Sequence, residues 1–199
     1  MITRIGGWIG AVGLSAAALL SGTTTAQADT TVPLPDGNQA MTAANGVQVD
    51  MSRTGERAVV APSLAANGLS RTVTLSGTVF AKVHSADSGT LTTGYMVGCQ
   101  VDLSGGLSLG GDMYVQPGQA YPEVTPGINL VPGAVAVVKF DTKNLDPKAG
   151  AVGIGYGDRG IQVSGCAGYA QARAFSTLTV VNKQGTAEVT MYGRPFSIG

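Results

Sequence analysis

Residues 97–116 read VGCQVDLSGGLSLGGDMYVQ. The odd positions of this stretch, among them Val97, Cys99, Val101, Leu103, Leu107, Leu109, Met113 and Val115, carry no charge. The even positions, among them Gln100, Asp102, Ser104, Ser108 and Asp112, are small, polar or acidic. A period of two describes a β-strand with one apolar and one wet face. This one is far longer than the usual strand of about five or six residues. After a turn centred on Pro117-Gly118, the segment EVTPGINLVPGAVAVVKF (123–140) returns with Val124, Ile128, Leu130, Ala136 and Val138 on one face. Glu123, Thr125 and Asn129 occupy the other. Farther along, Val131, Val135 and Val137 make both faces apolar, which predicts that this end runs into a protein core.

At about 3.3 Å per residue, the alternating run from Val101 to Val115 covers roughly 50 Å, or roughly 38 Å along an axis tilted by about 40°. A bilayer core of about 30 Å would be crossed. On that reading Val101, Leu103, Leu107, Leu109, Met113, Val115, Val124, Ile128 and Leu130 face lipid. Gln100, Asp102, Ser104, Ser108, Asp112, Glu123, Thr125 and Asn129 line water. A lone hairpin cannot stay in hydrocarbon, because the backbone groups along both borders would be unpaired. The reading therefore demands a ring of identical subunits, each lending two strands to a shared barrel. The alternative is a half-buried strand pair in a soluble sandwich, where the same alternation arises. Gly105-Gly106 and Gly110-Gly111 weaken strand pairing in either case and suit a tightly curved wall or a narrow lumen.

Composition supports a surface that does not wholly meet water. Of 199 residues only 12% are charged, against about a quarter in ordinary soluble domains. Met1 to Ala28 combines Arg4, an apolar run from Trp8 to Leu20 and the small-residue end Ala26-Gln27-Ala28, the layout of a secretory signal peptide. The alternative is a retained anchoring helix, for which the run is short and broken by Gly10, Gly13 and Ser15. Without residues 1–28 the chain keeps 11 Lys and Arg (12 less Arg4) against 12 Asp and Glu, so nucleic acid is an unsuitable partner. Two cysteines in an exported chain, Cys99 and Cys166, suggest a disulfide, which would clamp the start of the long hairpin to a later strand.

The rest of the chain reads as short strands and turns. Residues 29–38 are an exposed lead-in, residues 52–70 are turn-rich, and Arg71–Lys82 alternates strongly. Asp87-Ser88-Gly89 predicts a hairpin turn, and GIGYGDRG (153–160) a tight hairpin between strands. Helical periodicity is almost absent beyond residue 28, so the expected fold is all-β, a β-sandwich with one long amphipathic hairpin. Catalytic chemistry has little to work with. His84 is the sole histidine, its neighbour Asp87 is too close in sequence for the usual triad arrangement, and no phosphate-loop, HExxH or calcium-loop pattern occurs. No cofactor or metal is expected.

Six short segments in order, LPDG (34–37), NGLSR (67–71), SGTLTTGYMVG (88–98), TPGINLVPG (125–133), ARAFSTLTV (172–180) and YGRPF (192–196), give the chain a resemblance to the mycobacterial porins of the MspA type. That resemblance implies a goblet: a rim of β-sandwiches (residues 29–96 and 141–199) and a stem barrel that pools one hairpin (97–140) from each of eight subunits. It implies passive diffusion of small hydrophilic solutes across the outer membrane of a mycolic-acid envelope. The family's constriction of adjacent aspartates near the stem tip has no counterpart between Tyr114 and Glu123, and the hairpin is several residues shorter. The nearest acidic residues on the polar face are Asp112 and Glu123, with Asp102 higher up; rings of them would favour cations. A secreted or cell-wall sandwich that kept the fold without a conducting pore is the competing expectation.

Overall fold

The computed structural model describes residues 29–62, 70–100, 127–129, 135–146, 148–166 and 168–199, with 127–129 as backbone. The signal-peptide reading of residues 1–28 lies outside them, as does most of the 97–140 segment. The described chain is all-β and forms two sheets. Sheet A contains β1 (Thr30–Pro33), β2 (Gly37–Thr42), β3 (Gln48–Pro62), β4 (Arg71–His84), β6 (Gly127–Asn129) and β8 (Ala151–Ser164). Sheet B contains β5 (Ser88–Cys99), β7 (Val135–Asn144), β9 (Ala170–Asn182), β10 (Gly185–Tyr192) and β11 (Phe196–Ser197). The order in sheet A is β1-β3-β4-β8-β6 with β2 also on β3, and in sheet B β10-β9-β5-β7 with β11 also on β9.

Alternation drives the packing. Val73, Leu75, Val79 and Ala81 of β4 are buried, and so are Leu91, Tyr95, Val97 and Cys99 of β5. They meet Ile154, Ile161 and Val163 of β8 and Ala172, Leu178 and Val180 of β9 in one core. Each fully buried aliphatic side chain contributes about 1.5–3 kcal/mol relative to exposure, so this shared core is what holds two otherwise separate sheets together.

Several turn readings give way to longer strands. Of the expected turn-rich stretch 52–70, residues 63–69 lie outside the described residues, and the part up to Pro62 is strand: β3 continues to Pro62 through a bulge between Thr54 and Arg57, where Gly55 takes φ 63°. A bulge adds a residue and resets the alternation. Arg53 and Glu56, three apart, therefore both point inward, where an unbroken strand would separate them. GIGYGDRG is likewise no hairpin, since β8 runs through it with a register shift opposite Leu75/Gly77. Asp158, at φ 50°, is held there by Ser76, whose hydroxyl donates to Asp158 Oδ1 (3.1 Å) and accepts from its N–H (3.0 Å). The turn before β5 is not a hairpin either: β4 lies in sheet A and β5 in sheet B, so the chain there crosses between sheets. The lead-in is also structured, with β1 and β2 both paired to β3.

Candidate functional site

Both ends of the 97–140 segment belong to sheet B. Gly98 faces Val135, Val97 faces Ala136 and Met96 faces Val137 in an antiparallel register that runs unbroken from Gly94 to Gly98. The outgoing and returning arms thus leave the sandwich side by side, as the hairpin reading expects of their bases. At Cys99 the chain is tied down: Cys99 and Cys166 form a disulfide, Cα–Cα 5.9 Å, with both residues buried. Arg71 Nη1 donates to Cys166 O (2.8 Å), and Gln100 N to Tyr169 O (2.9 Å), so the exit point is held against the β8–β9 connection by covalent and polar links together.

Of the expected pore-lining residues, Gln100 lies at the end of β5 and is exposed. Asp102, Ser104, Ser108, Asp112, Glu123 and Thr125 lie outside the described residues, as do Val101, Leu103, Leu107, Leu109, Met113, Val115, Val124 and Leu130. Ile128 and Asn129 are placed by backbone alone, in β6, which pairs in parallel with β8: Ile128 faces Val163 and Asn129 faces Ser164. That partner differs from the antiparallel one the hairpin reading gives this segment. Among the described residues that edge of β8 has no other strand partner, and an adjacent extended segment satisfies it.

The expectation that Val135 and Val137 enter a core is corrected. They are 60% and 55% exposed, because only Val138 and its same-face neighbours point inward from β7. Val135 and Val137 belong instead to the outer face of sheet B, a surface that alternation in single strands did not reveal. Two of its rows cross the strands as polar side chains, most of them threonines. Thr142, Thr92, Thr177 and Thr190 stand side by side, with Thr92 Oγ1 and Thr142 Oγ1 3.1 Å apart and Thr177 Oγ1 and Thr190 Oγ1 2.9 Å apart. Asn144, Thr90, Thr179 and Glu188 form the next row. Toward the hairpin the face changes. Arg173 stacks on the exposed ring of Tyr192, guanidinium to centroid 4.6 Å; Met96 and Val137 stand in the same row as Arg173, and Gly98 and Val135 in the next. Such rows are invisible to a one-dimensional pattern, since neighbours across strands are far apart in sequence.

Inside the sandwich sits a polar cluster. Tyr95 donates its hydroxyl to Glu56 Oε1, and its oxygen lies 3.3 Å from that of Tyr156. Arg53 Nη2 donates to Ser176 Oγ (2.9 Å), and Arg53 Nη1 lies 3.7 Å from Glu56 Oε2. Thr93 Oγ1 and Ser176 Oγ are 3.0 Å apart. Burial pushes the Glu56 carboxyl above its ordinary value, against the opposing pull of the Tyr95 hydrogen bond and the Arg53 charge; burial likewise raises Tyr95 and Tyr156. Gly193 lies close by: a β-carbon there would come 3.1 Å from Ala174 Cβ and 3.3 Å from Glu56 Oε2. The cluster's members link sheet A to sheet B, which is a structural task.

His84 is half exposed and lies 3.7 Å from Asp50, across β3 and β4. Among the described residues there is no group of three or more His, Cys, Asp or Glu able to hold a metal ion, and no helix long and apolar enough to cross a membrane.

A family model described as MspA matches residues 45–197, a span that includes β3 to β11 and the whole of the long alternating segment. No individually curated protein matches the chain. With an all-β, two-sheet fold and a match over most of its length, the chain belongs to the MspA family of porins.

Proposed function

We propose that this protein forms a water-filled, cation-preferring channel for small hydrophilic solutes in the outer membrane of a mycolic-acid envelope. The observation that carries the reading is the family match across residues 45–197, which takes in a segment whose alternation suits a strand pair between lipid and water. Identical subunits, eight on the family pattern, close the barrel. The sandwich is the rim, and the Cys99–Cys166 bridge fixes the point where each stem strand leaves it. Asp112 and Glu123, repeated around the ring, set the field of the lower lumen, with Asp102 adding to it nearer the rim. No group is transformed; transport follows the solute gradient.

Planar-bilayer recording tests this. Purified oligomer should give stepwise conductance, and a potassium chloride gradient should give a reversal potential on the cation side. Asp112→Asn with Glu123→Gln should move that potential toward zero while the oligomer still forms. An oligomer that gives no conductance steps overturns the channel. The pairing of β6 with β8 favours a second reading, a secreted or cell-wall sandwich in which the segment folds back on its own chain. That protein would leave cells as a soluble monomer, whereas the channel should require detergent and run as a stable oligomer.

A further inference from the structure

The proposed channel leaves open which surface of the sandwich meets the permeating solution. The outgoing arm decides it by parity. In β5, Leu91, Thr93, Tyr95, Val97 and Cys99 point into the sandwich, while Met96 and Gly98 point out. The register with β9 is continuous from Ser88 to Cys99, so no bulge interchanges the faces before the chain leaves the sheet. Residues two apart share a face. The outward-facing Met96 and Gly98 share their parity in the sequence with Gln100, Asp102 and Ser104, the row that the channel reading gives to water. Val97 and Cys99 share theirs with Val101 and Leu103, the row it gives to lipid. The opposite assignment would put aliphatic side chains in the water column and carboxylates in hydrocarbon, which is costly for each charge.

Resting on the channel reading, we infer that the outer face of sheet B is the wall of the aqueous vestibule, and that Met96, Val135 and Val137 form an apolar collar where the vestibule meets the stem. The wall is graded. Threonine rows near the wide end offer hydroxyls to passing water and solute. Arg173 on Tyr192 follows. The collar begins in that same row, where Arg173 and Val137 flank Met96 on its two sides, and continues to Val135 beside Gly98; both valines are more than half exposed. A groove of about 420 Å³ opens there, bordered by Met96, Val135, Tyr169 and Arg173, within the size range of small-molecule sites. Side chains of this kind give water no hydrogen-bond partner, so the collar opposes fully hydrated ions and retains solutes with an apolar portion. An aliphatic carboxylate, apolar chain on the valines and charge toward Arg173, is the solute class it should delay.

The test uses the full-length oligomer in planar bilayers. Val137→Cys is exposed to a small, positively charged methanethiosulfonate from the bath; the native cysteines are bonded to each other and do not compete. Current should fall in discrete steps. Thr74→Cys, on the outer face of sheet A, should react with no change in current, and Met96→Cys replaces Val137→Cys if the latter does not assemble. Silence at both sheet B positions, or loss of current on reaction at Thr74→Cys, overturns the wall assignment while leaving the channel standing. In unmodified channels hexanoate should reduce the current more than acetate, and Val135→Ser with Val137→Ser should shrink that difference by about threefold or more, the scale of roughly one buried methylene. An undiminished difference removes the collar. Absence of any conductance from the unmodified oligomer defeats the channel reading, and the collar falls with it.

Discussion

The interior of the sandwich is held in two different ways. At its middle, Arg53, Glu56, Tyr95, Tyr156, Thr93 and Ser176 join the sheets through polar contacts. At the end from which the hairpin leaves, Val73, Ile161, Val163, Val97 and the Cys99–Cys166 bridge join them through apolar contact and one covalent bond. Apolar packing depends on volume and tolerates replacement by residues of similar size. The polar middle depends on partners: Arg53 Nε and Glu56 Oε2 already have no hydrogen-bond partner among the described residues, so nothing is in reserve when another is removed. The difference teaches that the middle specifies how the sheets align, and the end by the hairpin supplies tolerance to strain from the segment it anchors.

The contrast can be broken at its polar side first. Glu56→Ala should cost about 3–5 kcal/mol in denaturant unfolding, because it strands the buried Arg53 charge and the Tyr95 hydroxyl. A loss no larger than that of an ordinary surface substitution would show that the ion pair adds nothing to sheet alignment. At the other end, replacing Cys99 and Cys166 together by alanine releases a loop constraint of 67 residues, worth about 4 kcal/mol in the chain-entropy account. Thermal unfolding should fall accordingly, and treatment with reductant under denaturing conditions should reproduce the variant's stability.

A smaller effect sharpens the comparison through pH. The Glu56 carboxyl is raised from its ordinary value of 4.5 by burial. The folded state therefore keeps its proton to higher pH than the unfolded state does. The contribution of this group is full below 4.5 and is lost as pH rises toward the folded value. Glu56→Gln, which cannot ionise, should flatten the stability profile above pH 4.5 relative to the native residue. Parallel profiles for the two proteins would mean that Glu56 titrates alike in both states.

Legibility followed periodicity. Arg71–Lys82 reads as a strand because Val73, Leu75, Val79 and Ala81 recur at the spacing their burial requires. Cys99 on the apolar parity of its strand pointed to a buried bridge, and the bridge is buried. Arg53 and Glu56 were illegible, since charged residues three apart signal neither a strand nor a core until a bulge turns both inward. GIGYGDRG was misread because Asp158 and the glycines around it carry turn chemistry that here makes a kink within β8 and no reversal.

By itself the sequence determined the all-β class and the amphipathic character of residues 97–116, because each depends on residue type and local spacing alone. It suggested a Cys99–Cys166 bridge, which the tertiary structure made by bringing the two residues to a Cα–Cα distance of 5.9 Å. Tertiary structure decided which strands share a sheet, that Val135 and Val137 face outward, and that threonines from β5, β7, β9 and β10 meet in rows. Those are relations between segments distant along the chain, settled by long-range pairing and by bulges that shift the alternation, and a single strand's pattern contains neither.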